Sequence, residues 1–248
     1  MKHVEEMTKK ELKAIRLVVF DVDGVLVERG TKIEQRGSMT RLQTKKIRPR
    51  VLELIEKVRA RGYLININSG RGLYMLQEMF RPLLPFVSLT YENGSASWHK
   101  GTVYQHYNSF GQLHECMTEL RLLKNSKIKG FEPKEFIITV HCTQAVREIE
   151  RIVARYAHLY TKWNGEAYDI GVRDKQTKAR GLRLFRSAIG VSKNEVLAIG
   201  DNYNDRELLA EAGLSVTADP DRVKADFSVP LKGAKLPAEL LMEQILRL

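Results

Sequence analysis

The sequence predicts an α/β protein: a Rossmann-like parallel sheet core with helices on both faces, plus a small inserted α+β domain. Two observations predict this fold class. Short apolar runs alternate with amphipathic helical patterns in both terminal parts of the chain, which is typical of strand–helix–strand units in a parallel sheet. The middle of the chain instead combines segments of alternating polarity with two amphipathic helices. We therefore predict a core formed by 1–96 and 174–248, with an inserted domain at 97–173.

The predicted core begins with a strand that is buried on both faces. Leu17–Phe20 is a continuous apolar run of the kind found in the middle of parallel sheets. A helix is predicted over 50–61, where apolar side chains recur on one side of the helical repeat. The other core elements predicted by the pattern are strands at 63–68, 86–91 and 195–199 and helices at about 72–80 and from about 205 onwards.

The predicted inserted domain has a different pattern. Its predicted strands lie at 102–106, 136–141 and 167–172, and its predicted helices lie at 110–123 and 143–157. Glycine residues punctuate the segment as turns, among them Gly101, Gly130 and Gly165. Strands and helices mixed in this way predict a small α+β unit.

Composition and length exclude several classes of protein. The chain has 248 residues, of which 43% are apolar and 29% charged, so it is too apolar for a disordered protein. No apolar run approaches the roughly 18 residues that a membrane helix needs, and the charged first residues lack the apolar stretch of a secretory signal. Two cysteines, Cys116 and Cys142, are too few for a disulfide framework or a four-cysteine metal site. These features predict a cytoplasmic protein without a membrane partner, and they leave a homo-oligomer open.

Positive charge is concentrated in one segment. The net charge is +11, and the segment 28–50 holds eight Lys or Arg against two Glu. One interpretation is a basic flap that attracts an anionic substrate, and the other is a solvated, mobile loop. Nucleic acid is a rival partner for so much charge, but 28–50 contains no aromatic residue that could stack on bases. The composition therefore argues against a nucleic-acid partner.

Carboxylates follow the first predicted strand in the sequence Asp21-Val22-Asp23-Gly24. In an open parallel sheet, ligands bind outside the carboxyl ends of the strands. Two carboxylates separated by one residue can therefore meet a cation and an electrophile together. The ordinary alternative is a strand-ending turn, since Asp-Gly is common in turns.

Polar residues follow two further predicted strands. Asn68-Ser69-Gly70-Arg71 precedes a predicted helix, where a hydroxyl and a helix N-terminus can bind an anion or simply cap the helix. The segment from Gly200 to Asp205 places Asp201 and Asp205 after the other strand, and oxygen ligands of this kind suit magnesium. A phosphate site of this composition also needs a cationic side chain, for which Lys178 and Lys175 are the candidates.

These segments resemble, in the usual order, the four motifs of the haloacid dehalogenase superfamily of phosphohydrolases. Asp21-Val22-Asp23-Gly24 resembles the first motif, Ser69-Gly70-Arg71 the second, Lys178 the third, and the segment from Gly200 to Asp205 the fourth. Tyr91-Glu92-Asn93-Gly94 is similar to the Cof-like branch, in which Glu-Asn-Gly leads into an inserted α/β cap. The spacing of Lys178 before Asp201 also resembles that branch and favours Lys178 over Lys175. Val25 and Ala179 depart from the motifs, because relatives often have Thr and Gly there.

The resemblance implies a magnesium-dependent phosphatase that works through an aspartyl-phosphate. It implies that Asp21 is the nucleophile, that Asp23 is the general acid and base, and that Ser69 and Lys178 bind the phosphoryl group. The implied magnesium ligands are Asp21, the Asp23 carbonyl and Asp201, with Asp205 adjacent. The residues implied to contact substrate are Gly70, Arg71, Asn93 and Asn204.

The implied substrate is a small phosphorylated metabolite. The sugar-phosphate and archaeal-type phosphoglycolate phosphatases are the members that this chain resembles most. Two alternatives stay open from the sequence. One is a phosphomutase or phosphotransferase on the same core, and the other is a phosphate-binding or regulatory protein without turnover.

Overall fold

The computed structural model describes residues 1–43 and 45–248. Thr44, which belongs to the basic segment, lies outside the described residues. Contacts divide the described chain into two units. The larger unit comprises Met1–Arg29, Lys45–His106 and Thr177–Leu248, and the smaller unit comprises 30–43 and Tyr107–Gln176.

The elements of the described residues are as follows. The strands are β1 (Lys2–His3), β2 (Leu17–Phe20), β3 (Lys32–Arg36), β4 (Met39–Gln43), β5 (Leu64–Asn68), β6 (Val87–Tyr91), β7 (Ala96–His99), β8 (Thr102–Gln105), β9 (Ile128–Glu132), β10 (Ile138–Cys142), β11 (Leu159–Trp163), β12 (Ala167–Val172), β13 (Val196–Gly200), β14 (Leu214–Thr217) and β15 (Phe227–Ser228). The helices are α1 (Lys9–Leu12), α2 (Pro49–Ala60), α3 (Leu73–Met79), α4 (Phe110–Leu122), α5 (Arg147–Ala154), α6 (Lys178–Ala188), α7 (Arg206–Ala210) and α8 (Pro237–Arg247).

The larger unit is built on one mainly parallel sheet. Its strand order in the described chain is β1-β15-β14-β13-β2-β5-β6-β7-β8, and all neighbours from β1 to β6 are parallel. The central strands β2 and β13 are buried at every residue, as a parallel sheet covered on both faces requires. The predicted α/β fold class is confirmed, and the predicted strand Leu17–Phe20 has the observed bounds.

One strand predicted for the insertion belongs to the larger unit. Strand β8, predicted at 102–106, pairs antiparallel with β7, which itself pairs antiparallel with β6 at the edge of the main sheet. Placing this strand in the inserted domain was wrong. Alternating polarity identifies a strand that has one solvated face, but it does not identify the sheet that the strand joins.

The smaller unit forms a separate antiparallel sheet with two helices, which confirms an inserted α+β cap. Its strand order is β11-β12-β10-β9. Apolar side chains from one face of this sheet, including Val140 and Ile170, pack with Leu113 and Cys116 of α4 and Ile149 of α5. The sequence prediction missed β9 and β11, which lie next to turns and carry lysines and a glycine.

The basic segment forms a β-hairpin over most of its length. Strands β3 and β4 pair antiparallel, with Ile33 opposite Leu42. The backbone N–H of Phe131 in β9 donates to Gln35 Oε1 at 3.0 Å, so the hairpin contacts the antiparallel sheet of its own unit. A two-stranded ladder therefore satisfies backbone groups of 32–36 and 39–43, whether the segment acts as a basic flap or as a solvated, mobile loop.

No helix of the described residues is long and apolar enough to cross a membrane.

Helix α6 lies against the loop after β6 at a glycine–glycine contact. A Cβ atom added at Gly181 would lie 2.3 Å from Gly94 Cα, and one added at Gly94 would lie 2.2 Å from the Thr177 carbonyl oxygen. Both distances are shorter than van der Waals contact, so no side chain fits at either position. Since Lys178 begins α6, this close approach also fixes the height of Lys178 over the sheet.

Gly181→Ala should lower the free energy of unfolding by about 1–3 kcal/mol, because the new methyl group overpacks against the Gly94 backbone. Gly111→Ala is the matched control, since Gly111 is also helical but has no atom within 4 Å of an added Cβ. This control should be as stable as the wild type or up to about 1 kcal/mol more stable. Urea denaturation measures both, and equal effects at the two glycines would contradict the packing argument.

Candidate active site

Four loops that carry predicted site residues leave neighbouring strands at one edge of the main sheet. Asp21 follows β2, Ser69 follows β5, Asn93 lies just beyond β6, and Asp201 follows β13. These strands are adjacent in the order β13-β2-β5-β6 and parallel. Their carboxyl ends therefore lie together, where the chain switches from one side of β2 to the other.

Three buried carboxylates form the centre of this edge. One oxygen of each of Asp21, Asp201 and Asp205 lies within 4.8 Å of the other two. The ammonium of Lys178 bridges two of them, at 2.6 Å from Asp21 Oδ1 and 2.7 Å from Asp205 Oδ1. The Lys178 side chain is only 3% exposed, so its charge is available to the carboxylates and not to solvent. Such a cluster has an excess of negative charge that attracts a cation.

Burial and charge shift the pKa values of this cluster. Burial raises the pKa of Asp21 well above its ordinary value, the charge of Asp205 adds to the rise, and Lys178 opposes it. Burial and Asp205 likewise raise the pKa of Asp201 to about 6, against the opposing charge of Arg29. Burial alone would lower the pKa of Lys178, but Asp205 and Asp21 outweigh it, so the pKa is raised and the ammonium stays charged.

Both oxygens of Asp205 are engaged by the protein. Oδ1 accepts from Lys178, and Oδ2 accepts from the backbone N–H groups of Asp201 (3.1 Å) and Asn202 (3.0 Å). Asp205 ends the 3₁₀ turn Tyr203–Asp205, and its carboxylate satisfies N–H groups that such a turn leaves free. Asp205 thus fixes both the loop that carries Asp201 and the position of Lys178.

Gly24 allows the first loop to approach Asp201. Its φ is +86°, a value that other residues rarely adopt, and an added Cβ would lie 1.8 Å from Asp201 Oδ2. The loop is closed by the Gly24 N–H, which donates to the Val27 carbonyl at 2.8 Å. A glycine after Asp23 is therefore required by both conformation and space.

A second group surrounds Asp23. Arg71 donates from Nε and Nη2 to the two Asp23 carboxylate oxygens at 2.9 and 2.7 Å, which is the two-donor geometry of a strong ion pair. The Arg71 backbone N–H donates to Ser69 Oγ at 3.2 Å, and the Asn93 N–H donates to the Ser69 carbonyl at 3.2 Å. The Asp23 side chain is 36% exposed, so it remains accessible to a bound molecule.

The predicted site residues therefore fall into two contacting groups. Asp21, Lys178, Asp201 and Asp205 form one, and Asp23, Ser69, Arg71 and Asn93 form the other, with Gly70 in the chain between Ser69 and Arg71. Asn204 directly precedes Asp205 in the chain. It lies on the Tyr203–Asp205 turn, and its Oδ1 is buried without a hydrogen-bond partner among the residues that the structure describes.

Two residues of the site were missed by the sequence prediction. Asn68 is fully buried, and its amide donates to the Lys178 carbonyl at 3.1 Å, which holds the start of α6. A polar residue inside an apolar strand was the available signal. Arg29 donates to Asp201 Oδ2 at 2.6 and 3.0 Å across 172 residues of chain, and no sequence pattern marks that contact.

Several known proteins are similar to this chain. A family model described as haloacid dehalogenase-like hydrolase matches residues 122–220. A phosphoglycolate phosphatase of Sulfolobus acidocaldarius is 26% identical over 244 residues, which cover 93% of this chain and 97% of that protein. A phosphoglycolate phosphatase of Aeropyrum pernix is 28% identical over 216 residues, covering 82% of this chain and 80% of that protein. A solved structure from Thermoplasma acidophilum shares the fold with a TM-score of 0.70 and 16% identity, covering 94% of this chain and 99% of that one.

The main sheet, the inserted antiparallel cap and the buried carboxylate cluster define a capped α/β protein whose candidate site lies at the carboxyl edge of a parallel sheet. The chain is similar to the haloacid dehalogenase-like hydrolases, through the family model over 122–220 and the two phosphoglycolate phosphatases that align with most of its length.

Asp201→Asn should change how the stability of the metal-free protein depends on pH. The pKa of Asp201 is about 6 in the folded chain, against about 3.9 in the unfolded chain, so between these values only the folded chain keeps the proton. Wild-type stability therefore falls, through this group, as pH rises from about 4 to about 6. The amide does not titrate. When the pH is raised from 4 to 7, the free energy of unfolding of the variant should therefore rise by about 2–3 kcal/mol relative to that of the wild type.

Urea denaturation in the presence of a chelator, at several pH values, measures this difference. Comparing variant with wild type cancels the contribution of titrating groups that do not interact with Asp201, whereas Asp21, whose pKa the charge of Asp201 raises, contributes to the measured difference. Parallel pH profiles for the two proteins would contradict the raised pKa of Asp201.

Proposed function

We propose that this hydrolase is a magnesium-dependent phosphatase that cleaves a small phosphorylated metabolite through an aspartyl-phosphate at Asp21. The observation that carries the proposal is the buried contact of Lys178 with both Asp21 and Asp205. It provides a carboxylate nucleophile and a fixed positive charge at one point of the sheet edge. Phosphoryl transfer needs these two groups close together.

The donor set fits magnesium. Three buried carboxylates exceed the two positive charges of Lys178 and Arg29, and hard oxygen donors are the ligands that magnesium prefers. In this proposal the metal is held by Asp21, the Asp23 backbone carbonyl and Asp201, with Asp205 adjacent. When bound, the ion neutralises phosphoryl oxygens and orients the phosphate. The raised pKa values of Asp21 and Asp201 support this assignment, because a metal cation would offset the burial and the repulsion that raise them.

The two catalytic half-reactions use Asp21 and Asp23. An Asp21 carboxylate oxygen attacks phosphorus, the bond from phosphorus to the ester oxygen breaks, and Asp23 gives its proton to the leaving alcohol. Asp23 then removes a proton from water, whose oxygen attacks the phosphorus of the aspartyl-phosphate. The phosphorus–Asp21 bond breaks, which releases inorganic phosphate and restores Asp21. In the protein without substrate, Arg71 donates to both Asp23 oxygens, and binding of the substrate to Arg71 would free one of these oxygens to carry the proton.

The remaining proposed residues hold the phosphoryl group. Lys178 offsets the charge that develops on its oxygens, and the Ser69 hydroxyl and the backbone at Gly70 donate to them. Arg71, Asn93 and Asn204 are the proposed contacts to the rest of the substrate. The buried, unpartnered Oδ1 of Asn204 supports its place in this group.

Phosphoglycolate is the first candidate substrate, because two relatives of that name align with most of this chain. Sugar phosphates are the second. Both are small anions, which agrees with a chain whose net charge is +11.

Asp21→Asn should reduce kcat by at least about 10³-fold, because an amide cannot form the aspartyl-phosphate. The measurement is release of inorganic phosphate from p-nitrophenyl phosphate and phosphoglycolate. Asp174→Asn is the matched control: Asp174 is exposed and has φ of +59°, a conformation that Asn adopts readily. The control should keep wild-type activity. Full activity in Asp21→Asn would overturn the assignment of the nucleophile.

A panel of phosphate monoesters, with and without Mg²⁺, should separate the proposed function from its alternatives. A phosphatase releases inorganic phosphate from at least one ester, and a chelator abolishes that release. A phosphomutase instead moves the phosphate within a sugar phosphate with little release. A binding protein turns over none of the panel, and that result would overturn the proposed enzyme.

A further inference from the structure

Arg29 forms an ion pair with Asp201, which is one of the proposed metal ligands. Its guanidinium donates from Nη2 and Nε to Asp201 Oδ2 at 2.6 and 3.0 Å, and Nη2 also lies 3.4 Å from the Asp201 carbonyl oxygen. The Asp201 side chain is 1% exposed, whereas that of Arg29 is 32% exposed. The partly exposed guanidinium of Arg29 is therefore paired with a fully buried carboxylate.

The charges of the cluster explain this contact. Lys178 supplies one positive charge to three carboxylates, and Arg29 supplies a second, while Asp23 is already paired with Arg71. Mg²⁺ in place of Arg29 would balance the three carboxylates together with Lys178. Mg²⁺ beside Arg29 would instead place two cations against the same carboxylate, which like-charge repulsion opposes.

The crowding around Asp201 Oδ2 also indicates that Arg29 and a metal ion cannot bind this oxygen together. Oδ2 already receives two N–H groups from Arg29, and the Gly24 backbone closes in on the same oxygen. A metal bond to this oxygen requires the guanidinium to leave.

The larger unit offers a place for the released guanidinium. A cleft of about 900 Å³ is lined by Gly24, Glu28 and Arg29 on one side and by the loop after β14, with Asp219 and Asp221, on the other. The displaced side chain would remain in a hydrated space that is lined by the carboxylates of Glu28, Asp219 and Asp221 and by the cations of Arg222 and Lys232.

We propose that Arg29 is a built-in counter-cation, seated on Asp201 in the metal-free protein and displaced into this cleft when Mg²⁺ binds. The inference rests on the metal site of the proposed function and goes beyond it. In this proposal Arg29, which lies outside the four motifs, lowers the affinity for Mg²⁺, because the state that binds the metal is populated only when Arg29 has left Asp201.

Isothermal titration of MgCl₂ into the wild type, Arg29→Gln and Arg222→Gln tests this exchange at constant ionic strength. Arg222 lines the same cleft and pairs with Asp219 at 3.2 Å, so its replacement removes the same charge without touching Asp201. Arg29→Gln should lower the Kd for Mg²⁺ by about ten- to a hundredfold, the effect of removing a competing charge-assisted hydrogen bond. Arg222→Gln should change it by less than about threefold, as expected for a screened surface charge.

Thermal unfolding gives a second readout that is independent of both binding heat and activity. In a chelator, Arg29→Gln should melt below the wild type, because Asp201 has lost its counter-cation. At saturating Mg²⁺ the two Tm values should coincide, because Arg29 has left Asp201 in the wild type and is absent from the variant.

Equal Mg²⁺ affinities for the two variants would overturn the exchange. Weaker binding by Arg29→Gln would also overturn it, because Arg29 would then orient Asp201 for the metal instead of competing with it. If the wild type bound no Mg²⁺, the metal part of the proposed function would fail together with this inference. If the wild type bound Mg²⁺ and Arg29→Gln bound it no tighter, only the inference would fail.

Discussion

The bridge from Lys178 to Asp21 and Asp205 is the interaction on which the site depends. Burial and repulsion between carboxylates raise the pKa values of Asp21 and Asp201, and the fixed positive charge of Lys178 opposes that rise. Asp205 converts the bridge into a positional constraint, since its other oxygen holds the backbone of the loop that carries Asp201. The Asn68 amide fixes the other end of the bridge by binding the Lys178 carbonyl.

The three cations around this bridge differ in how exposed they are and in how many carboxylates they bind. Lys178 is enclosed and bound to two partners, so its charge is structural. Arg71 binds Asp23 through two donors, but Asp23 is partly exposed and can meet another molecule. Arg29 is the most exposed of the three cations and contacts only Asp201 among the three carboxylates. The order from Lys178 to Arg29 runs from a cation that cannot leave to one that can.

Much of this arrangement was predictable from sequence, and the reasons are physical. Apolar runs such as Leu17–Phe20 mark buried strands, and polar residues at their carboxyl ends must meet because parallel strands share an edge. Contacts between side chains far apart in the chain were not predictable. Arg29 looks like one basic residue among eight in its segment until the fold places it beside Asp201. The same limit applies to β8, whose alternating pattern is compatible with either sheet, and to the hairpin β3–β4, whose charge hides a regular ladder.

The contact between Gly94 and Gly181 also bears on how such a chain can change during evolution. Gly94 ends the turn from which the chain leaves the parallel strands, and its partner lies in the helix to which the chain returns. A side chain added at either position would collide with backbone atoms at the contact, so both positions must remain glycine. A side chain at either glycine would therefore displace the start of the helix that carries Lys178, so selection on catalysis would also act on these two positions, which carry no functional group.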